Sequence, residues 1–328
     1  MISRDALLVR LLSLVDQVPL PSEYRQRRRG RPYVYPTRLI IKLWLVMAFR
    51  RIRSGYALWC FLAQPVPEVV MLRQALFHGG PMPSRRTIER RLAALSMALE
   101  AEVAVLGQLL LERLQVWAKE AAAAAIDSAP FHAQGGVWHK KHREKGEVPD
   151  TRIDIEAGWT KSGWHGWVYG WKLHLVVTAT RILIPLAATA TPADVADNTV
   201  APALIRRLPP GLRWLLGDTA YQDQELVTLC ARQGAQLVTP RRGGPHPRTD
   251  SGAAVRRVLH TVRNTTVERF FAHYKKVFEL LGQVPTRGQQ KTCLLLAGSV
   301  YVYQLVLLLQ LELDQQPGQG LKALLQAI

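Results

Sequence analysis

Ala121-Ala-Ala-Ala-Ala-Ile-Asp-Ser128 decides the fold. The apolar run makes residues 123–131 a buried strand. It carries one carboxylate, Asp127, where a charge is costly unless paired or bound to metal. Outward from it, residues 168–178 alternate as a second strand and residues 182–189 read as a third. Thr191-Pro192 predicts a helix start, with Thr191 as cap, Pro192 in the first helical position and Asp194 complementing the dipole. That helix ends near Arg207, and residues 212–216 form a fourth strand stopping at Gly217-Asp218. A helix from about Asp223 to Gly234, a fifth strand at 236–239, a basic linker at 241–257 and a helix over 264–281 follow.

Hairpin-joined strands followed by strand–helix crossovers predict an α/β fold, a mixed five-stranded sheet flanked by helices. That is ribonuclease-H-like topology, expected over residues 119–312 with a short tail at 313–328. Asp218, like Asp127, stands at a strand end, where open α/β sheets gather functional groups. Either aspartate alone is explained as a turn former or helix cap, but two in one sheet are harder to dismiss. Glu268 shares a helical stripe with Phe271, Ala272 and Lys275; the stripe is either solvent-facing or, given the aromatics beside it, half-buried. Three carboxylates of hard oxygen donors favour Mg²⁺ or Mn²⁺, and two such ions suit phosphodiester chemistry. The three acids, 91 and 50 positions apart, are therefore expected to converge.

Residues 1–118 read as all-helical, with helices at 5–17, 39–51, 54–63, 69–77, from Ser84 onward and over 96–118. A basic arm at 25–31 includes Arg29 and Arg31, in the form of a minor-groove hook or a phosphate-contacting arm. Gly79-Gly80 followed by a helix that opens with Arg85, Arg86, Arg90 and Arg91 has a helix-turn-helix outline. A basic face on a helical bundle explains it equally well.

Composition bounds the partners. The chain holds 43 Lys and Arg against 25 Asp and Glu, a net charge of +18, which predicts a polyanionic partner. Because the charge is not confined to one amphipathic helix, nucleic acid is favoured over membrane. Three separated cysteines, with no CxxC, argue against a disulfide framework or zinc site and fit a reducing compartment. The first ten residues lack the features of a secretion signal, so a cytoplasmic, nucleoid-associated location is expected. Residues 293–309 approach membrane-spanning length, but a buried helix is the preferred reading.

Ala125-Ile-Asp-Ser128, Tyr169-Gly-Trp-Lys-Leu-His174, Leu216-Gly-Asp-Thr-Ala-Tyr221 and Val267-Glu-Arg-Phe-Phe271 resemble, in order and spacing, the blocks of bacterial insertion-sequence DDE transposases. Upstream, Gly30-Arg-Pro32, Ser54 and Pro83-Ser84 are similar to that group's helical region, so the resemblance runs from residue 30 to about 310. It implies a transposase that cleaves at element ends and transfers the freed 3′-hydroxyl to target DNA, acting as a homodimer on terminal inverted repeats. Asp127 would then bridge two Mg²⁺ or Mn²⁺ ions, with Asp218 and Glu268 each holding one, and Lys275 would contact DNA. The family's arginine stands four residues before the glutamate; here Asn264 is there and Arg263 is one earlier, about 100° around a helix. The alternatives are a metal nuclease of the same fold without strand transfer, and a non-catalytic DNA-binding descendant.

Overall fold

The computed structural model describes residues 4–22, 34–163, 166–240 and 251–328. The arm at 25–31 with Arg29 and Arg31, linker residues 241–250, Trp164 and His165 lie outside the described residues.

Strand β1 (Ala123–His132) is central to a six-stranded mixed sheet. The next two strands are β2 (Gly158–Ser162) and β3 (Gly166–Thr178). They are followed by β4 (Pro185–Pro192), β5 (Trp214–Leu216) and β6 (Gln236–Val238). β3 pairs antiparallel with β1 on one side, while its other side is shared end to end by β2 and β4. β5 pairs parallel with β1, and β6 parallel with β5. All five expected strands are present. The sixth, β2, carries no strand signal of its own, because Gly158-Trp-Thr-Lys-Ser162 offers a single large apolar residue and little alternation.

Thr191 and Pro192 end β4 and do not begin a helix. The Thr191 hydroxyl is bonded to His174 at 2.8 Å, and the helix starts only at Asp197. A proline closing a strand has no N–H that the ladder needs, so its helix-starting signal is overridden.

The N-terminal helices are α1 (Arg4–Gln17), α2 (Thr37–Phe49), α3 (Gly55–Ala63) and α4 (Pro67–Phe77). They continue as α5 (Arg85–Ala93), α6 (Leu95–Leu114) and α7 (Val116–Lys119). Ser54 and Ser84 cap α3 and α5 by accepting from the amides of Ala57 and Thr87 at 3.1 and 3.3 Å. Within the sheet region lie α8 (Lys140–Arg143), α9 (Asp197–Ile205) and α10 (Gln224–Arg232). Then come α11 (Ser251–Val277), α12 (Gln289–Glu312) and α13 (Leu321–Ala327).

α12 is long and apolar enough to cross a membrane, yet 83% of its most apolar stretch is buried inside the fold. It packs against α6, β4 and α1. Midway along it, the Gln304 amide nitrogen donates to the carbonyls of Val103 and Pro185 at 2.8 and 2.7 Å and ties the helix to α6 and β4, while its Oε1 has no hydrogen-bond partner among the described residues. At Gly298 a Cβ would overlap the Trp44 indole of α2, so the helices meet there only because glycine is present.

Gly298→Leu is expected to cost about 1–3 kcal/mol by overpacking. Gly282→Ala, where an added Cβ meets nothing, should be neutral. Thermal unfolding checks this: equal melting temperatures for the two variants would show that the α12–α2 contact is not close-packed.

Candidate active site

Parallel pairing of β5 on β1 sets Ala125 opposite Leu216. Two residues further along each strand stand Asp127 and Asp218, so the ladder itself brings their carboxylates to one place. Arg263 of α11 confirms the convergence, since its Nη2 lies 2.8 Å from Asp127 Oδ2 and 3.8 Å from Asp218 Oδ2. The guanidinium is buried, its Nη1 donates to Asn264 Oδ1 at 2.8 Å, and its Nε has no hydrogen-bond partner among the described residues. Burial pushes the Asp127 carboxyl up to about 6, against the pull of Arg263 and with a smaller push from Asp218.

Asp218 is oriented by the turn that follows it. Its Oδ1 accepts from the Ala220 amide at 2.8 Å and caps the short 3₁₀ turn Thr219–Tyr221. Gly217 precedes it because a Cβ there would press on the Tyr221 side chain. The Tyr221 hydroxyl is buried, has no hydrogen-bond partner among the described residues, and is held well above its ordinary pKa by burial and by Asp197, Asp127 and Asp218.

Glu268 is not brought to this pair. It is exposed on α11, five residues after Arg263 and so about 140° around the helix from it. Among the described residues no three His, Cys, Asp or Glu side chains are grouped to hold a metal ion. Lys275, on the same flank as Glu268, is half-buried; its Nζ donates to the Pro130 carbonyl at 3.1 Å and lies 4.8 Å from the Phe131 ring centre. Burial lowers its pKa, and the side chain is tied to the end of β1.

Of the arginines on α5, Arg86 and Arg90 are exposed. Arg85 is exposed too, bonded to Glu89 at 2.9 Å and placed 4.8 Å over the Tyr56 ring. Arg91 is buried and donates to the Tyr35 carbonyl at 2.8 Å and the Thr37 hydroxyl at 3.2 Å, so it fastens α5 to α2.

Sequence reasoning undervalues one functional neighbour. Asp197 sits in the first turn of α9 behind the site. It accepts from Ser128 Oγ at 2.9 Å and Lys172 Nζ at 3.1 Å, with His174 Nδ1 at 3.5 Å. Ser128 is the residue after Asp127 and pairs across the ladder with His174, so this network steadies the backbone that carries Asp127. The available signal is Lys172 and His174 two apart on one strand, hence on one face, which calls for an acid opposite. Asp154 and Glu156 serve elsewhere, accepting from the Gly288 and Gln289 amides at the start of α12. Trp138 and Trp159 donate to the carbonyls of Glu147 and Trp138 and so anchor loops.

Burial lowers His174 from 6.5 to about 4, against the pull of Asp197 and with Lys172 adding to the effect. Below its unfolded pKa the unfolded chain takes up a proton that the fold refuses, so stability falls as pH drops from about 6.5 through about 4. The loss should reach roughly 3 kcal/mol at 1.36 kcal/mol per unit. His174→Gln should remove that part of the acid sensitivity. Urea unfolding of both proteins at pH about 7 and about 4.5 checks it, and identical pH dependence would rule the account out.

Residues 120–305 match the family described as the transposase DDE domain. No curated protein matches the chain in sequence. Among solved structures the chain is similar to a piggyBac transposase in a cryo-EM synaptic complex with hairpin DNA. The identity is 10% over 99% of this chain and 79% of that one, with a TM-score of 0.41. With two strand-end aspartates brought together on this sheet and more than half its length matched, the chain belongs to the transposase DDE domain family.

Proposed function

We propose that the chain is a DNA transposase of the insertion-sequence type, which cleaves at the ends of a mobile element and joins the freed 3′-hydroxyl to target DNA. The observation that carries this is the meeting of Asp127 and Asp218 around one buried guanidinium in a transposase DDE domain. Two carboxylates against one arginine leave an excess of negative charge in a half-buried place, and the donors are hard oxygens; both features suit Mg²⁺ or Mn²⁺. Asp127 and Asp218 would hold the ions. Glu268, exposed on the flank that also carries Lys275, would join them on a turn or shift of α11 against the sheet. Bound there, two divalent ions would supply Lewis-acid activation of the attacking and leaving oxygens.

The chain's own residues do the rest. Arg263 faces both carboxylates and is placed to neutralise a phosphate oxygen entering between them. Lys275, Arg85, Arg86 and Arg90, with Arg29 and Arg31 of the arm, supply charge for double-stranded DNA, both terminal repeats and target, in the cytoplasmic nucleoid. Joining two ends to one target requires two sites in fixed relation, so the working form is a homodimer on DNA. Residues 30–118 supply the contact, since 293–309 is committed to the core of its own chain.

Asp127→Asn or Asp218→Asn is expected to lower Mg²⁺-dependent cleavage of terminal-repeat DNA by about 100-fold or more, about 2.7 kcal/mol of transition-state stabilisation, with DNA affinity kept. Arg86→Ala with Arg90→Ala should weaken DNA binding and flatten its salt dependence. Normal cleavage by Asp127→Asn refutes the assignment. A wild-type protein that cuts but never joins is a nuclease, and one that binds without cutting is a DNA-binding descendant.

A further inference from the structure

A cleft of about 1520 Å³ opens between the N-terminal helices and the segment that leads into α12. One wall is the end of α2, the 51–55 connection and the flank of α5; the other is the 151–156 loop and residues 278–295. Its floor is apolar, with Trp44, Leu92, Ile153 and Leu294. Four exposed cations stand on the two walls, Arg51 and Arg53 on one, Arg287 and Lys291 on the other.

Four acids also line the cleft, and each is already engaged. Glu89 pairs with Arg85 at 2.9 Å and Glu279 with Lys322 at 3.2 Å. Asp154 accepts from the Gly288 amide at 2.9 Å and Glu156 from the Gln289 amide at 2.5 Å. None of the four cations has a carboxylate at ion-pair distance among the described residues; Arg287 donates to the Thr151 carbonyl at 2.8 Å. Asp150, whose field reaches Arg287, is itself held by Arg152 at 2.7 Å. Glu89 and Glu279 are thus balanced by Arg85 and Lys322, whereas Asp154 and Glu156 keep their charge while holding the amides that start α12; with those two partners counted the cleft has an excess of two positive charges, and the cations face the opening.

A second observation concerns Arg51. It stands at φ 53, just past the end of α2, in the left-handed region where glycine is the usual occupant. An arginine held there at a backbone cost points to a use for its side chain. The rim also continues onto α5: residues 86, 89, 90 and 93 share one helical face, so Arg86 and Arg90 stand beside the Glu89 and Ala93 of the wall. At the other end Gln134 lines the cleft, two residues beyond β1. The seven-residue path from Asp127 to Gln134 is at most about 23 Å, at 3.3 Å per residue. That end of the cleft therefore lies within at most about seven base pairs of Asp127, at 3.4 Å each.

We propose that this cleft holds the sugar-phosphate backbone of the DNA end whose reacting phosphate lies at Asp127 and Asp218, with Arg51, Arg53, Arg287 and Lys291 as its phosphate contacts. This rests on the transposase reading and adds to it the path of the DNA. Cations on both walls over an apolar floor suit a continuous polyanion better than a single small anion.

The test uses the full chain and a labelled terminal-repeat duplex, with fluorescence anisotropy between about 50 and 200 mM salt. Each paired variant, Arg51→Ala/Arg53→Ala and Arg287→Ala/Lys291→Ala, should weaken binding about tenfold. Each should also reduce the slope of log K against log salt by about 1.8, because two fewer phosphates are neutralised. Arg206→Ala/Arg232→Ala, equal in charge and exposed around α9 and α10, should leave both unchanged. Arg51→Gly should lower affinity while keeping or raising the melting temperature, which a purely structural role for Arg51 would not produce. Wild-type slopes in both cleft pairs overturn the proposal while leaving the transposase reading in place. Absence of DNA binding by the wild-type chain overturns the reading itself.

Discussion

Enclosure of α12 is the constraint on which the other elements depend. A helix so apolar is unstable in water, and its burial draws on nearly the whole chain: α6 and β4 cover it, α1 lies along it, and Trp44 of α2 packs into the gap left by Gly298. Buried apolar residues consequently run from Leu7 to Ile328 as one connected core. α11 is seated on the same helix, since the Tyr274 hydroxyl donates to the Leu296 carbonyl at 2.9 Å. The helix that supplies Arg263 to the sheet is thus registered by the helix that joins the N-terminal region to that sheet. Small movements of α5 relative to Asp127 would disturb packing across this whole seam.

Electrostatics then divides the molecule into two regimes. Around Asp127 the charges are few, half-buried and matched through short bonds: Arg263 on one side of the strand, the Asp197 network on the other. On the surface the charges are many and of both signs with a positive excess, as the net +18 reflects. The first regime fixes geometry to fractions of an ångström, while the second acts over a Debye length of about 10 Å at 0.1 M salt and steers a polyanion without choosing its sequence.

Much of the fold is legible in the sequence because its signals are local. Ala123 to Ile126 could be little other than a core strand, Ser54, Ser84 and Asp223 are the caps their side chains announce, and the Asp127 and Asp218 pair follows from strand ends. What escapes is set by tertiary contact. β2 exists because β3 offers it an edge, and Thr191-Pro192 stay extended because His174 claims the threonine hydroxyl. Arg263 stands one residue from the family's arginine position, yet its long side chain reaches the carboxylates all the same. Glu268 shows the converse, since helical periodicity gives its flank but not how far its side chain lies from the strand ends. The cleft is invisible to sequence because its walls come from separate segments spread between residues 44 and 295.

The turn after β5 has a consequence for coordination chemistry. One oxygen of Asp218 accepts from the Ala220 amide, which sets the torsion of the carboxylate before anything enters beside Asp127. That oxygen keeps a second lone pair and the other oxygen keeps both of its own, so the turn fixes the direction of the donor set without using it up. A longer acid at this position would carry the same charge but lose the capped geometry, and with it the control over direction.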